Sequence, residues 1–478
     1  MFEDYYSGST ILKPLSVKTG VEIDRLNFVV CQLVALGLAF LMRKFLHPSS
    51  TSGTVRHAFS SIIGLLLSYF CFGNEVGHLL IVATACYLII TFQSSKVMPH
   101  FVFVVSMGYL ASIHFKRLIF NYGAYNLDIT GPLMVLVQRV SGLAYSLHDG
   151  LDCEYEKLSP YRQKYITKNK PSILQYYGYL FQFQSILAGP NVLFKDYIQF
   201  IDGTNFKNVK SDSSNDKVES EPSPFKVVLQ KFLISIACIM FYLSVSSHFS
   251  IEIAKGREFM YEWSSFRQMG FLVICTTLTR FMYYHAWILA DAVCNASGLG
   301  FNGYDAKGNP KWDITQNVDI FGFEFSDNLR NAITCWNTGT NVWLRFIVYE
   351  RLEKYNKTLF TFLLSAAWHG FYPGYYVCFI TAALFVTAAR NVRKYVRPHF
   401  MNNSTLKLFY DGCTFITTRV AIAYFTFPFV MYDFWPALII YKNMLFIFHV
   451  GSFFAIFALP IISKKFLPRP STMPSKQD

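Results

Sequence analysis

The chain has 478 residues, of which 53% are hydrophobic and only 15% charged, against roughly 25% charged in a soluble globular domain. This composition argues against a disordered chain, a coiled coil, a small disulfide scaffold or an ordinary soluble enzyme, and it points to one polytopic membrane body. The net charge of +13 sits in short basic pieces between long apolar runs, which is the pattern of cytoplasmic loops and not of a nucleic-acid-binding face.

A bilayer span needs about 20 mainly apolar residues. Residues 1–26 include several charged groups and read as an N-terminal lumenal segment. Residues 27–463 read as one membrane domain. Its first apolar runs are 27–42, 58–74, 76–95 and 97–115. Arg43, Lys44 and Arg56 place the loop after the first run on the cytoplasmic side. The next run, 118–147, is interrupted by Asp128, Gly131, Pro132 and Arg139. A basic stretch follows at 149–170, and then a charge-free aromatic run at 171–194. The polar loop 203–224 is the most hydrophilic part of the chain and reads as flexible surface.

Further runs lie at 232–251 and 268–294. Residues 331–352 are only half apolar, and 358–389 carry no charge at all. Pro373-Gly374 must break or sharply kink that last run. Runs at 420–441 and 443–463 precede a polar tail, 464–478. The expected architecture is all-α, with about 9–11 transmembrane or re-entrant helices. The 10 cysteines form no C-x-x-C pair, and most lie inside apolar runs, so buried small side chains are expected in place of zinc or disulfide frameworks.

Polar groups inside apolar runs are costly and are functional candidates by default. His369 stands near the middle of the longest charge-free run, in Ser365-Ala366-Ala367-Trp368-His369-Gly370-Phe371-Tyr372-Pro373-Gly374-Tyr375-Tyr376. No nearby residue in sequence can neutralise an imidazolium there, so a neutral imidazole with a free nitrogen is expected. A core histidine donating one hydrogen bond is the alternative from position alone. The second constellation, Cys335-Trp336-Asn337-Thr338-Gly339-Thr340-Asn341-Val342-Trp343-Leu344-Arg345, sets amides and hydroxyls between two tryptophans. Asn337 and Asn341, four apart, are expected to share a helical face. No histidine has an aspartate five positions on, and there is no G-x-S-x-G elbow and no P-loop.

These two blocks together closely resemble the membrane-bound O-acyltransferase family. The S-A-x-W-H-G-x-x-P-G-Y-Y form resembles its lysophospholipid acyltransferase branch. Further matches are Gly131-Pro132-Leu133-Met134, Leu187-Ala188-Gly189-Pro190, Tyr283-Tyr284…Trp287 and Gly298-Leu299-Gly300-Phe301-Asn302-Gly303. The N-terminal block, Gly8-Ser9-Thr10 with residues 27–36, looks like members that acylate lysophosphatidylethanolamine and lysophosphatidylserine.

The resemblance implies a helical bundle around an internal catalytic chamber in the endoplasmic reticulum membrane. It implies transfer of an acyl chain from acyl-CoA, a co-substrate, to a lysophospholipid (lysophosphatidylethanolamine, lysophosphatidylserine or lysophosphatidylcholine), with no metal and no other cofactor. His369 takes the position of the family's catalytic histidine, and Asn337 that of its partner. The substrate-binding candidates are Trp336, Asn341, Trp343, Trp368 and Tyr376, with Arg345, Arg351 and Lys354 toward the CoA phosphates. A sterol, diacylglycerol or protein acceptor, or a lipid transporter or scramblase, stands as the competing reading.

Overall fold

The computed structural model describes residues 6–124, 126–207, 221–353 and 356–466. Lys354, residues 208–220 of the polar loop and residues 467–478 of the tail lie outside the described residues. Every named element among the described residues is helical, and extended pairing is confined to two isolated bridges, Tyr304 with Pro310 and Val318 with Trp336.

Seven helical stretches among the described residues are long and apolar enough to cross a bilayer: Ile23–Phe45, Gly53–Phe92, Met98–Phe120, Phe225–Ala254, Pro373–Tyr395, Ser404–Met431 and Ile447–Lys465. The second of these is two helices, Gly53–Phe72 and Val76–Phe92, joined by a tight turn at Gly73. Their outward faces are apolar, with Leu66, Val104 and Leu243 exposed, while Asn27, Gln32, Ser60 and Ser68 are buried. A lipid solvent favours this arrangement, because the apolar surface needs no cover and the polar groups need partners. Asn27 finds them in the Tyr6 hydroxyl (2.9 Å) and the Ser9 carbonyl (2.7 Å). All ten cysteines are free thiols.

The chain divides into two compact units. The first comprises Met1–Ile239, Tyr283–Asn317 and Thr338–Glu353. Within it the break expected inside 118–147 falls at residues 121–129, which include Asp128. Helix Met98–Phe120 ends before it, and the next helix is Thr130–Leu151. Gly131 and Pro132 sit in the first turn of that helix, where the missing proline N–H has no intrahelical partner to lose.

The run 171–194 departs further from expectation, since only Ile173–Leu180 is a helix of two turns. Beyond it the chain is irregular yet buried at Phe181, Gln182, Phe183, Gln184 and Ile186. Buried irregular backbone must be satisfied by other protein groups. Arg139, fully buried on helix Thr130–Leu151, supplies much of this. Its guanidinium donates to the Leu180 carbonyl at 2.6 Å, the Ser185 carbonyl at 3.2 Å and the Ser185 hydroxyl at 2.6 Å.

On the same helix, Asp149 is gripped by two arginines. Arg351 donates to its two oxygens at 2.9 and 2.7 Å, and Arg162 donates from Nε at 3.1 Å and from its terminal nitrogen. The aspartate side chain is fully buried. Burial pushes its carboxyl up, but the hydrogen bonds and charges of Arg162 and Arg351 outweigh that and hold it below the ordinary carboxylate range.

The second unit comprises Met240–Met282, Val318–Asn337 and Lys354–Asp478. Its core is largely aromatic and includes Phe259, Phe271, Phe385, Tyr424, Phe427 and Tyr441. Helix Pro373–Tyr395 packs against both Lys357–His369 and Ser404–Met431. Arg280 grips Glu324 with two hydrogen bonds of 2.8 and 2.9 Å, and Arg419 reaches the same carboxylate at 3.4 Å.

Removing one partner of a buried ion pair costs about 3–5 kcal/mol, whereas an exposed pair is worth about 0–1 kcal/mol. Asp149→Asn therefore lowers the thermal midpoint of the detergent-solubilised protein by many degrees. Glu154→Gln, which breaks the exposed pair with Lys157 at 2.8 Å, shifts it little. Equal shifts in the two melting curves would contradict this account of the triad.

Candidate active site

The 32-residue charge-free run folds as two helices, Lys357–His369 and Pro373–Tyr395. His369 is the last residue of the first helix. Gly370 ends that helix at φ +124°, a conformation that disfavours any side chain. Pro373 opens the second helix, where its fixed φ and missing N–H suit the first position. Gly374 then meets the end of helix Ser404–Met431. Its N–H donates to the Tyr432 carbonyl at 2.8 Å, and a Cβ there would collide with the Pro428 carbonyl oxygen. The motif's Gly and Pro residues thus serve one break and one close backbone approach.

The His369 imidazole is half-buried among aromatic rings. It stacks on Phe379 with centroids 5.2 Å apart and meets Phe429 edge-on at 5.1 Å. Trp368 lies at 4.7 Å and Tyr375 at 6.0 Å. Tyr375 itself stacks on Phe429 at 4.4 Å, and Tyr372 on Tyr432 at 4.6 Å. Tyr375 and Phe379 are four apart on one helix and so present a shared face. No charged side chain is among these ring neighbours.

Asn337 lies in the same unit. The expected helix across 331–352 is in fact broken around it into Leu329–Cys335, Thr338–Leu344 and a wider turn at Arg345–Tyr349. Asn337 stands between the first two, in the left-handed region at φ +46°. It therefore does not share a helical face with Asn341, and that expectation is corrected. Asparagine tolerates this conformation better than most residues, because its short polar side chain can bond locally. Its neighbour Trp336 pairs with Val318 in an antiparallel bridge, and the Asp319 N–H donates to the Cys335 carbonyl at 3.0 Å. Trp336 packs on Phe323 at 5.2 Å and on the aromatic core of the unit, as Phe362 and Val377 from the two helices flanking His369 also do. Among the described residues the Asn337 carboxamide makes no hydrogen bond to another side chain or backbone group.

The remaining candidates separate. Trp368 is buried beside His369, whereas Tyr376, half-buried on the following helix, makes no ring contact with it. Asn341, Trp343, Arg345 and Arg351 belong to the first unit. Trp343 is almost fully buried, and its indole N–H donates to the Ser141 hydroxyl at 2.9 Å. It also lines a cavity of about 10 Å³ with Gln138, Gly142, Tyr179 and Asn191, room for about one water. Arg351 does not serve as an open phosphate contact: its guanidinium is held by Asp149 and covers the rings of Tyr145 and Phe346 at 4.4 and 5.0 Å. Arg345 remains half-exposed, over Tyr161 at 4.1 Å and paired with Glu350 at 2.8 Å.

His369 and Asn337 thus stand at breaks between helices, within an apolar helical body. Residues 115–432 match the model of the membrane-bound O-acyltransferase family, and the chain belongs to that family. It is 44% identical over 462 residues to lysophospholipid acyltransferase 6 of Drosophila melanogaster, covering 96% of this chain and 64% of that protein. It is 40% identical to the human membrane-bound glycerophospholipid O-acyltransferase 1 over 95% of this chain and 93% of the relative. Similarity to the mouse membrane-bound glycerophospholipid O-acyltransferase 2 is 38%, over 98% and 90% of the two chains.

Sequence reasoning did not find the ring partners Phe379 and Phe429, nor Asp149 as the destination of Arg351. The spacing of Tyr375 and Phe379 behind the Pro-Gly break carried part of the first signal. Gly374→Ala is expected to abolish the folded species, read as loss of the monodisperse peak in detergent. Gly108→Ala, on helix Met98–Phe120 with open space at its Cβ, keeps that peak. A normal peak for Gly374→Ala would refute the close approach.

Proposed function

We propose that the protein is a lysophospholipid acyltransferase of phospholipid remodelling, taking acyl chains from acyl-CoA. The observation that carries this reading is His369, held at the end of a broken helix among aromatic rings, in a chain of this family. The relatives' names supply the acceptor class. The reading extends to residence in the endoplasmic reticulum membrane and to lysophosphatidylethanolamine and lysophosphatidylserine among the head groups.

The reaction joins the free glycerol hydroxyl of the lysophospholipid to the thioester carbonyl. His369 accepts the hydroxyl proton as oxygen attacks carbon. The tetrahedral oxyanion then expels the CoA thiolate, which takes the proton back from the imidazolium. Apolar surroundings favour the neutral, proton-accepting ring. General-base assistance of this kind contributes about 10²–10⁴-fold. Asn337 donates from its carboxamide, either to His369 as orienter or to the oxyanion. One oxyanion donor is worth roughly 3–4 kcal/mol. Arg345 is the remaining described candidate for a CoA phosphate, and Trp336, Trp368, Asn341 and Tyr376 are candidates for the apolar and polar walls around the substrates. Aromatic walls exclude water and so limit thioester hydrolysis.

His369→Ala is expected to abolish acyl transfer while the protein still purifies as a folded species; ordinary turnover by that variant would remove the catalytic claim. Asn337→Ala lowers turnover at least tenfold, and an unchanged rate would reduce Asn337 to a packing role. Activity survives EDTA, because no step uses a metal. The acceptor is tested by offering lysophospholipids, a sterol and diacylglycerol together with one labelled acyl-CoA. Label confined to the sterol or diacylglycerol product would overturn the lysophospholipid assignment.

A further inference from the structure

We infer that Tyr441 is a positioning residue for the His369 imidazole, acting through a proline break in helix Ser404–Met431; the assignment rests on the catalytic reading of His369. The argument starts from the backbone. A proline inside a helix brings no N–H, so the carbonyl four residues earlier loses its hydrogen-bond partner, and the pyrrolidine ring crowds that carbonyl. Pro428 lies inside this helix, and the carbonyl it orphans is that of Tyr424. Tyr424 is fully buried in the aromatic core of its unit, where an unpaired carbonyl is costly.

Tyr441, on the short helix Phe434–Asn443, supplies the missing donor. Its hydroxyl donates to the Tyr424 carbonyl at 3.1 Å. The two rings stack with centroids 4.5 Å apart, and Tyr441 is almost fully buried. One side chain thus stands in for the N–H that Pro428 lacks.

What lies beyond the break gives this bond its consequence. The last turn of the helix carries Phe429, whose ring meets His369 edge-on at 5.1 Å and stacks on Tyr375 at 4.4 Å. The Pro428 carbonyl accepts the N–H of Tyr432 at 3.0 Å, and the Tyr432 ring stacks at 4.6 Å on Tyr372, in the break that follows His369. All of these residues belong to one compact unit. The final turn is pinned at its joint by Tyr441, and it presents Phe429 as one wall of the imidazole. Without the hydroxyl, the Tyr424 carbonyl must find another donor, and the joint moves together with Phe429. Tyr441 sets where that ring stands, and so how the His369 ring is turned.

The test is a pair of double-mutant cycles on the full-length protein in detergent, with labelled acyl-CoA and a lysophospholipid acceptor. Tyr441→Phe keeps the stacked ring and removes only the donor. It is expected to lower kcat about tenfold, through misplacement of the base, while KM for acyl-CoA changes less than about twofold. In the Pro428→Ala background residue 428 has an N–H for the Tyr424 carbonyl, and Tyr441→Phe costs less than about a further twofold. In the Phe429→Leu background its cost is also less than about twofold, because no ring is left to misplace. Where one background turns over too slowly to measure, the other decides. An undiminished loss in either background, or a normal kcat for Tyr441→Phe alone, would overturn the inference while leaving His369 catalytic. Ordinary turnover by His369→Ala would instead sink the catalytic reading, and this inference with it. If Tyr441→Phe alone yields no monodisperse protein, it is made in the Pro428→Ala background. Folding and turnover there equal to those of Pro428→Ala support the inference, and loss of the folded species there as well overturns it.

Discussion

A backbone surrounded by lipid or buried in protein has no water to complete its hydrogen bonds, so every interruption of a helix must be answered by another part of the chain. The fold is organised around those answers. Arg139 supplies donors to the irregular segment after Leu180. Arg56 donates to the Leu46 carbonyl and, at 3.0 Å, to the Phe200 carbonyl, each at or near the end of a helix. Asn317 does the equivalent for the N–H groups that open helix Thr338–Leu344. These three buried side chains complete the hydrogen bonding of interrupted helices.

The same constraint explains the site. Chemistry on a lipid hydroxyl needs a base and an amide held away from water, and a continuous helix offers neither an approach to its backbone nor a free turn. The breaks at Gly370–Tyr372 and at Trp336-Asn337 each have a local repair: the Gly374 N–H onto Tyr432, and the Asp319 N–H onto Cys335. The aromatic rings around His369 fill the remaining space without adding charge.

The relation of charge to role was less direct than the chain order implies. Arginines near the Asn337 segment read naturally as contacts for an anionic co-substrate. One of them, Arg351, is instead consumed by a buried aspartate some two hundred residues earlier in the chain. A cation in an apolar setting is held first by whatever internal anion can reach it, because the desolvation cost of leaving either unpaired is large. Only Arg345 stays partly open among the described members of that set.

Much of this was open to reading before any coordinates. The apolar runs determined the membrane helices, because span length and the absence of charge are properties of the local chain. The Trp-His-Gly…Pro-Gly block determined where the longest run must break, because proline and glycine act on their own backbone. What only tertiary structure decided was the outcome of competition between distant segments. The two-turn helix at Ile173–Leu180 and the burial of Arg351 each have a partner remote in sequence: Arg139 and Asp149. Local propensity would extend each helix; a long-range hydrogen bond or ion pair, strengthened by the absence of water, outweighs it.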